Sequence, residues 1–386
     1  MNIIVLGAGL VGAPMAIDLA KDKKFKVSVA DINEQTLQDL ATTCPEVTTI
    51  TADLSNADTV KTLAVNHDLV LSAVPGFMGF QTLKTIIETG TDVVDIAFFA
   101  ENPFDLDELA KQNGVTAIVD CGVAPGMSSV LIGHVDQLFD KTLKVLIYVG
   151  GLPEIREWPY EYKAVFSPID VIEEYTRPAR YVENGHLVVR EALSDPELME
   201  FPGVGTLEVF NSDGLRTLAD TIDAPDMKEK TLRYQGHIDK MAVLRATGMF
   251  SEQEIEINGT MIRPIDFTAK LLFPMWKLKP GEVDITVLQV IIEGEKDGKQ
   301  LRYVYDMLDK YDPVTNTHSM ARTTGYTATT AIRMIAEGLY GRKGISPPEF
   351  VGQDQACVEF MLKGLEERGV IYRRRIEQLV ADPEVH

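Results

Sequence analysis

The first residues constrain this chain most. An apolar run, Ile3 to Leu6, leads directly into Gly7-Ala8-Gly9-Leu10-Val11-Gly12, and helical spacing follows from Ala13 to Leu19. In a strand that turns into a helix through G-x-G-x-x-G, the first glycine allows the tight turn and the second lets backbone approach a pyrophosphate. The third lets the helix pack closely on the strand. The helix N-terminus, with its unpaired N–H groups and positive dipole end, then favours the phosphates. A second apolar run, Phe25 to Ala30, ends at Asp31, close to the expected offset of about 20 residues after the glycines. A carboxylate there accepts hydrogen bonds from ribose hydroxyls and repels a 2′-phosphate, so the expected cofactor is NAD. Its contacts are expected from Gly7, Gly9, Leu10, Val11, Gly12 and Asp31.

The chain has 386 residues, more than the ~250–300 at which one core stops growing, so two domains are expected. Apolar residues make up 45% and charged residues 25%, the balance of a globular protein. With 37 basic against 58 acidic side chains the formal charge is −21, which argues against binding nucleic-acid phosphates. No run approaches the ~18 apolar residues of a membrane span, and no charged leader precedes the first strand, so no membrane partner and a cytoplasmic location are expected. Cys44, Cys121 and Cys357 are too scattered for a disulfide framework or a Cys-x-x-Cys site, and no metal is expected.

Apolar periods place strands near 2–7, 25–30, 47–50, 68–74, 92–96 and 115–120, with helical patterns between most of them. That rhythm predicts an α/β fold with an N-terminal Rossmann-type, doubly wound parallel sheet over residues 1–123. Asp53, just after the third strand, is placed either to meet the adenine or to cap the helix starting near Asn56. Val74 and Pro75 end the fourth strand, and the loop Pro75 to Phe80 is expected to cover the nicotinamide. From 124 to 321 the pattern becomes that of a mixed α+β substrate and dimerisation domain. Val283 to Glu293 and Gln300 to Leu308 form a hairpin about Asp297-Gly298. Residues 322–386 are expected to return as helices that pack on the nucleotide domain, with Arg373-Arg374-Arg375 as a solvated helix face.

Several segments carry a resemblance: Pro75-Gly-Phe-Met-Gly-Phe80, Asp95-Ile-Ala-Phe-Phe99, Asp120-Cys-Gly-Val-Ala-Pro-Gly126, Tyr148-Val-Gly-Gly-Leu-Pro153, Glu173-Glu-Tyr-Thr-Arg-Pro-Ala-Arg180, Ser212-Asp-Gly-Leu-Arg216 and Thr231-Leu-Arg-Tyr-Gln-Gly-His237. With these the chain resembles, over nearly its full length, the saccharopine dehydrogenase-like family, and within it looks most like the L-lysine 6-dehydrogenases. The resemblance implies NAD-dependent oxidative deamination of the lysine ε-amine to a semialdehyde that cyclises, with ammonia released and the substrate in a cleft between the domains of a homodimer. Related activities in that family are saccharopine and carboxynorspermidine dehydrogenases or reductases, acting on amino-acid or polyamine-type substrates. A different class of function is an NAD-binding sensor without turnover.

The implied reaction needs a base for the ammonium, a clamp for the α-carboxylate and a counter-charge for the α-ammonium. His237 is the first candidate base, because imidazole titrates near neutrality; a structural histidine is the competing reading. Asp120 and Asp95 end or follow strands where carboxylates point at the nicotinamide face, or else tie down adjacent backbone. Arg177, Arg180, Arg216 and Arg233 are the candidate clamps, with at least two of them expected in structural ion pairs. Tyr160, Tyr162 and Tyr175, with Lys163 and Arg177, are candidates to line an amphipathic pocket. Cys121 is expected to be a buried thiol without a catalytic role.

Overall fold

The computed structural model describes residues 1–279 and 281–379, so the last seven residues of the expected 322–386 segment lie outside the described residues. The chain divides into two compact units. One comprises Met1–Leu138 and Ala321–Tyr372, and the other Phe139–Met320 with the described chain from Arg373 onward.

The first unit is built on a parallel sheet of seven strands. β1 (Asn2–Leu6), β2 (Lys26–Asp31), β3 (Thr48–Thr51), β4 (Leu69–Ser72), β5 (Asp92–Asp95) and β6 (Thr116–Ile118) lie in the order β6-β5-β4-β1-β2-β3, and Gly344–Ser346 adds a strand beside β6. Central strands are covered on both faces, which is why they read as unbroken apolar runs. Val5, for example, is fully buried between Val29 and Leu71. The strand order reverses between β1 and β4, and in open α/β sheets ligands lie outside the carboxyl ends of the strands at that point.

A buried ionic knot closes this unit. Asp18, on helix α1 (Gly12–Ala20), accepts from Thr329 Oγ1 at 2.6 Å, Arg333 Nη1 at 2.7 Å and Arg368 Nε at 2.9 Å. Burial alone would raise its pKa, but the two guanidiniums outweigh that and hold it below the ordinary carboxylate value. The returning segment is therefore fastened to the helix that follows the glycine turn. Helix Met127–Leu138 also belongs here, which moves the boundary from the expected 123 to 138. Gly133 lies against the Glu349 backbone and Gly352 against Val130 O, so closely that a Cβ at either glycine would collide.

The second unit carries a mixed sheet of nine strands. Its main path runs Glu197–Phe201, Gly205–Asn211, Asp226–Arg233, Lys141–Pro153, Asp284–Lys296, Lys299–Lys310, Arg373–Gln378. Only the pairing of Asp226–Arg233 with Lys141–Pro153 is parallel. The hairpin turn has φ of 51° at Asp297 and 71° at Gly298, the positive pair that matches the twist of the flanking strands. Arg373-Arg374-Arg375, expected on a helix face, instead form an edge strand on Lys299–Lys310, where Arg375 pairs with Asp306 and Glu377.

Glu229 is a polar inclusion in this sheet. Ser212 Oγ donates to its carboxylate at 2.5 Å and Gly214 N at 3.1 Å. A Cβ on Gly214 would collide with that carboxyl, so the Ser212–Arg216 loop seats on Glu229 only with glycine there. Burial raises the Glu229 pKa from 4.5 to about 7, opposed by the Ser212 bond and reinforced by the charges of Glu174 and Asp213.

Two outcomes follow from these buried groups. Asp18→Ala leaves two guanidiniums facing each other, and urea unfolding is expected to show a loss on the order of 3–5 kcal/mol. Glu229 contributes stability that is fully present below about pH 4.5 and is lost as pH rises through about 7. Glu229→Gln is therefore expected to gain on the wild type between pH 5 and pH 8, by up to about 3 kcal/mol. Parallel pH–stability curves for the two proteins would contradict this.

Candidate functional site

At the carboxyl ends of β1 and β2 the backbone explains each glycine. Gly7 has φ 104°, and a Cβ there would lie 2.7 Å from Ala73 O. A Cβ on Gly12 would collide with Gly7 O, so helix α1 reaches the turn only with glycine at that position. Gly9 differs, because nothing lies within 4 Å of where its Cβ would be. It faces open space, so internal packing does not require glycine there and room is left for a ligand to approach the backbone. Val11 caps helix α1 without any side-chain hydrogen bond, and Leu10 is 53% exposed. An uncapped helix start beside an open glycine is a cradle for phosphate, and a dinucleotide fits it.

Asp31 is tied into the same turn. Ala8 N donates to its Oδ2 at 2.6 Å and Asn33 N to its Oδ1 at 2.8 Å. Each carboxylate oxygen carries two lone-pair directions, so capacity for ribose hydroxyls remains. Asp53 neither caps the following helix nor is buried. Asn56 is the cap of Ala57–Val65, and Asp53 accepts from Ser55 Oγ at 2.6 Å and Ser55 N at 2.9 Å in a local turn, whose hydrogen bonds lower its pKa.

Beyond β4 the structure corrects an expectation. Val74 is buried and Pro75 is already the N-cap of helix Gly76–Glu88, so no Pro-Gly loop spans 75–80. Gly79 serves helix packing, since a Cβ there would lie 2.7 Å from Ala97 Cβ and 2.8 Å from Phe99 Cδ1. Phe77, on the first turn, is 75% exposed.

Asp95 closes β5 and Asp120 follows β6, with exposures of 0% and 2%. Ala97 N donates to Asp95 Oδ2 at 3.2 Å, and Cys121 N to Asp95 O at 2.9 Å. Asp120 has φ 50°, an uncommon conformation for a non-glycine residue and one enriched where function constrains backbone. Burial, followed by the nearby charges of Asp95 and Asp120, drives the Cys121 thiol far above its ordinary pKa, so it is no nucleophile. The two buried carboxyl groups thus lie at the ends of neighbouring strands.

In the second unit His237, the first candidate base, lies in the core. It is 1% exposed; Nδ1 lies 2.8 Å from Tyr160 O and Nε2 3.0 Å from Tyr175 Oη. Arg233 Nε donates to the same Tyr175 oxygen at 2.9 Å, so the chain of bonds assigns Nδ1–H to His237 and makes Nε2 the acceptor. Burial, and then the positive charge of Arg233, lowers its pKa to about 3. His237 is a neutral, saturated part of the core.

The arginines divide likewise. Arg233 is 2% exposed, pairs with Glu174 and lies over the Tyr162 ring with its guanidinium carbon 4.6 Å from the centroid. Arg177 pairs with Glu173 one helical turn back, and Arg180 grips Asp213 at 2.8 and 3.1 Å. Arg216, 7% exposed with φ 52°, closes the loop seated on Glu229. Tyr160 is half-buried, edge-on to Trp276, and its carbonyl serves His237. Glu229 escaped the sequence reading, although an acid at an inward position of an alternating strand, between Met227 and Thr231, was its available signal.

Two family models match the chain. Residues 3–118 match the saccharopine dehydrogenase NADP binding domain and residues 122–370 the saccharopine dehydrogenase C-terminal domain. The NADP(+), L-glutamate-forming saccharopine dehydrogenase of Pyricularia oryzae is 26% identical over 315 residues, 78% of this chain and 69% of that protein. The carboxynorspermidine synthase of Vibrio alginolyticus is 24% identical over 327 residues, 78% of each chain. Other curated relatives are longer, the match spanning as little as 27% of their length. The apo L-Glu-forming saccharopine dehydrogenase of Saccharomyces cerevisiae shares the fold, with a TM-score of 0.78 at 20% identity over 97% of this chain and 99% of that one. The glycine cradle, the mixed second sheet and both matching models give one conclusion: this chain belongs to the saccharopine dehydrogenase family of nicotinamide-dependent oxidoreductases.

Proposed function

We propose that this protein oxidises the ε-amine of L-lysine with NAD, releasing ammonia and a semialdehyde that cyclises. The observation that carries the reading is the pair of buried carboxylates, Asp95 and Asp120, at the carboxyl ends of adjacent strands on the side where open α/β sheets hold their ligands. Carboxyl groups there suit a substrate that arrives as an ammonium. When bound, the nicotinamide supplies the acceptor for the hydride on the carbon bearing the amine. An alkyl ammonium has an ordinary pKa of ~10.4, so only about one molecule in 10³ is neutral at pH 7 and a positioned base is required. Asp120 takes that role, its strained backbone fixing the direction of its carboxylate, and Asp95 holds the cation beside it. Neutral His237 is reassigned to positioning, keeping Tyr160 and Tyr175 in place. Arg216 is the candidate for the α-carboxylate, being the one held by a dedicated loop. Asp31 favours NAD by repelling a 2′-phosphate.

A second reading follows from the relatives, one a saccharopine dehydrogenase and another a carboxynorspermidine synthase. It predicts turnover of a secondary amine and none of lysine.

Absorbance at 340 nm with NAD and each of lysine, saccharopine and carboxynorspermidine, with ammonia assayed in parallel, separates the two. NADH and ammonia from lysine alone are expected; activity only on a secondary amine would select the second reading, and silence with all three despite NAD binding would overturn both. Asp120→Asn keeps the shape of the side chain, so NAD affinity is expected to hold while kcat falls ~10²-fold or more. An unchanged kcat would remove Asp120 from the base position.

A further inference from the structure

The loop from Ser212 to Arg216 is fastened at two of its residues, in both cases through a carboxyl group. Glu229, buried on the strand Asp226–Arg233, takes the first hold. Ser212 N donates to the Glu229 carbonyl at 3.2 Å, and Ser212 Oγ and Gly214 N both reach the same side-chain oxygen, Oε2. Asp213 takes the second, accepting from Nε and Nη2 of Arg180 on the strand Ala179–Glu183 and from Arg180 N at 3.3 Å. A Cβ at Gly214 would lie 2.3 Å from Glu229 Cδ, so the loop has no slack over that carboxyl. Arg216 ends the loop buried and with φ 52°, a conformation that persists only where the surroundings impose it. The direction of its side chain therefore depends on the seating of the loop.

The groups facing Glu229 decide what its ionisation does. Glu174, from the helix Pro168–Thr176, and Asp213, from the loop itself, both act on it as negative charges, and their own partners are Arg233 and Arg180. On the neighbouring strand Lys141–Pro153 the residues in register with Met227, Glu229 and Thr231 are Val145, Ile147 and Val149, none of which titrates. Loss of the Glu229 proton adds a third negative charge to this group, and one of the three sits on the loop. Linkage gives the same sign. The seated carboxyl titrates at about 7 against its ordinary 4.5, so seating is at full strength below about pH 4.5 and weakens as pH rises through about 7.

We propose that Glu229 is a positioning residue for the loop that carries Arg216: as a neutral carboxyl it seats the loop, and as a carboxylate it releases it. That Arg216 meets the substrate α-carboxylate rests on the amine-oxidation reading above; the seat itself does not. A binding arm that is in place only part of the time lowers apparent affinity by the seated fraction, so the device acts on KM and not on kcat.

Hydrogen exchange read by mass spectrometry follows the seat without turnover. Corrected for intrinsic exchange rates, the wild-type segment 212–216 is expected to lose ~10-fold in protection between pH 6 and pH 8, while the strand Asp226–Arg233 keeps its own. Glu229→Gln retains an acceptor for Ser212 and Gly214 and cannot ionise, so its loop is expected to hold at both pH values. In Gly214→Ala the added Cβ meets the Glu229 carboxyl, and the loop is expected to be unprotected at both. With lysine and NAD, the KM of the wild type relative to Glu229→Gln is expected to rise several-fold, up to ~10-fold, over the same range at an unchanged kcat ratio; taking the ratio cancels the titration of substrate and of Asp120. Loop protection that moves equally in wild type and Glu229→Gln would overturn the proposal, as would protection lost equally along Asp226–Arg233. Protection that follows Glu229 while Arg216→Met leaves the lysine KM unchanged would uphold the seat and sink Arg216 as the carboxylate clamp. A KM raised by Arg216→Met but shared by wild type and Glu229→Gln at every pH would keep the clamp and overturn the role of Glu229.

Discussion

The Asp31 carboxylate bonded to Ala8 N at 2.6 Å joins the end of β2 to the glycine turn after β1. With Gly12 pressed against Gly7 O, it fixes the path of the chain from strand to helix before any ligand arrives. Helix α1 can then start uncapped, and its Asp18 anchors the returning C-terminal segment through Arg333 and Arg368. One acid places the cofactor turn and another fastens the segment that closes the unit around it. A net charge of −21 is thus far from a uniform coat, because several of its acids are buried and committed.

Burial decides the chemistry elsewhere. His237, Tyr175, Arg233 and Glu174 form a continuous hydrogen-bonded chain in the second unit, and burial, with the charge of Arg233, keeps the histidine neutral. Such a chain specifies side-chain positions more than it adds stability, since desolvation offsets much of the ion-pair gain. Glu229 is the contrasting case, a carboxyl held by donors from Ser212 and Gly214 and facing the charges of Glu174 and Asp213, and its pKa moves up toward neutrality. Asp95 and Asp120 are two further acids buried where the first unit's strands end.

The parts legible in the sequence were those set by local rules. Glycine spacing, unbroken apolar strands and the positive-φ pair at Asp297-Gly298 each carry their geometry in a few adjacent residues. Long-range packing was not legible. Pro75 and Gly76 have turn chemistry, yet Gly79 shows that the segment is a helix pressed on Ala97 and Phe99. The boundary at 138 depends on Gly133 and Gly352, contacts more than two hundred residues apart in sequence. Arg373-Arg374-Arg375 looked like a helix face because an edge strand with both sides exposed has no alternation to reveal it. His237 was chosen for its intrinsic pKa, which its burial cancels.

The proposed role of Asp31 in cofactor choice is tested by calorimetric titration of the purified protein with NAD and with NADP. A 2′-phosphate near a fixed carboxylate meets repulsion of about 1–4 kcal/mol per pair of unit charges at contact distance, depending on the effective dielectric. NAD is expected to bind at least ~10-fold tighter than NADP, with that preference lost in Asp31→Ser. Equal or tighter binding of NADP by the wild type would contradict it.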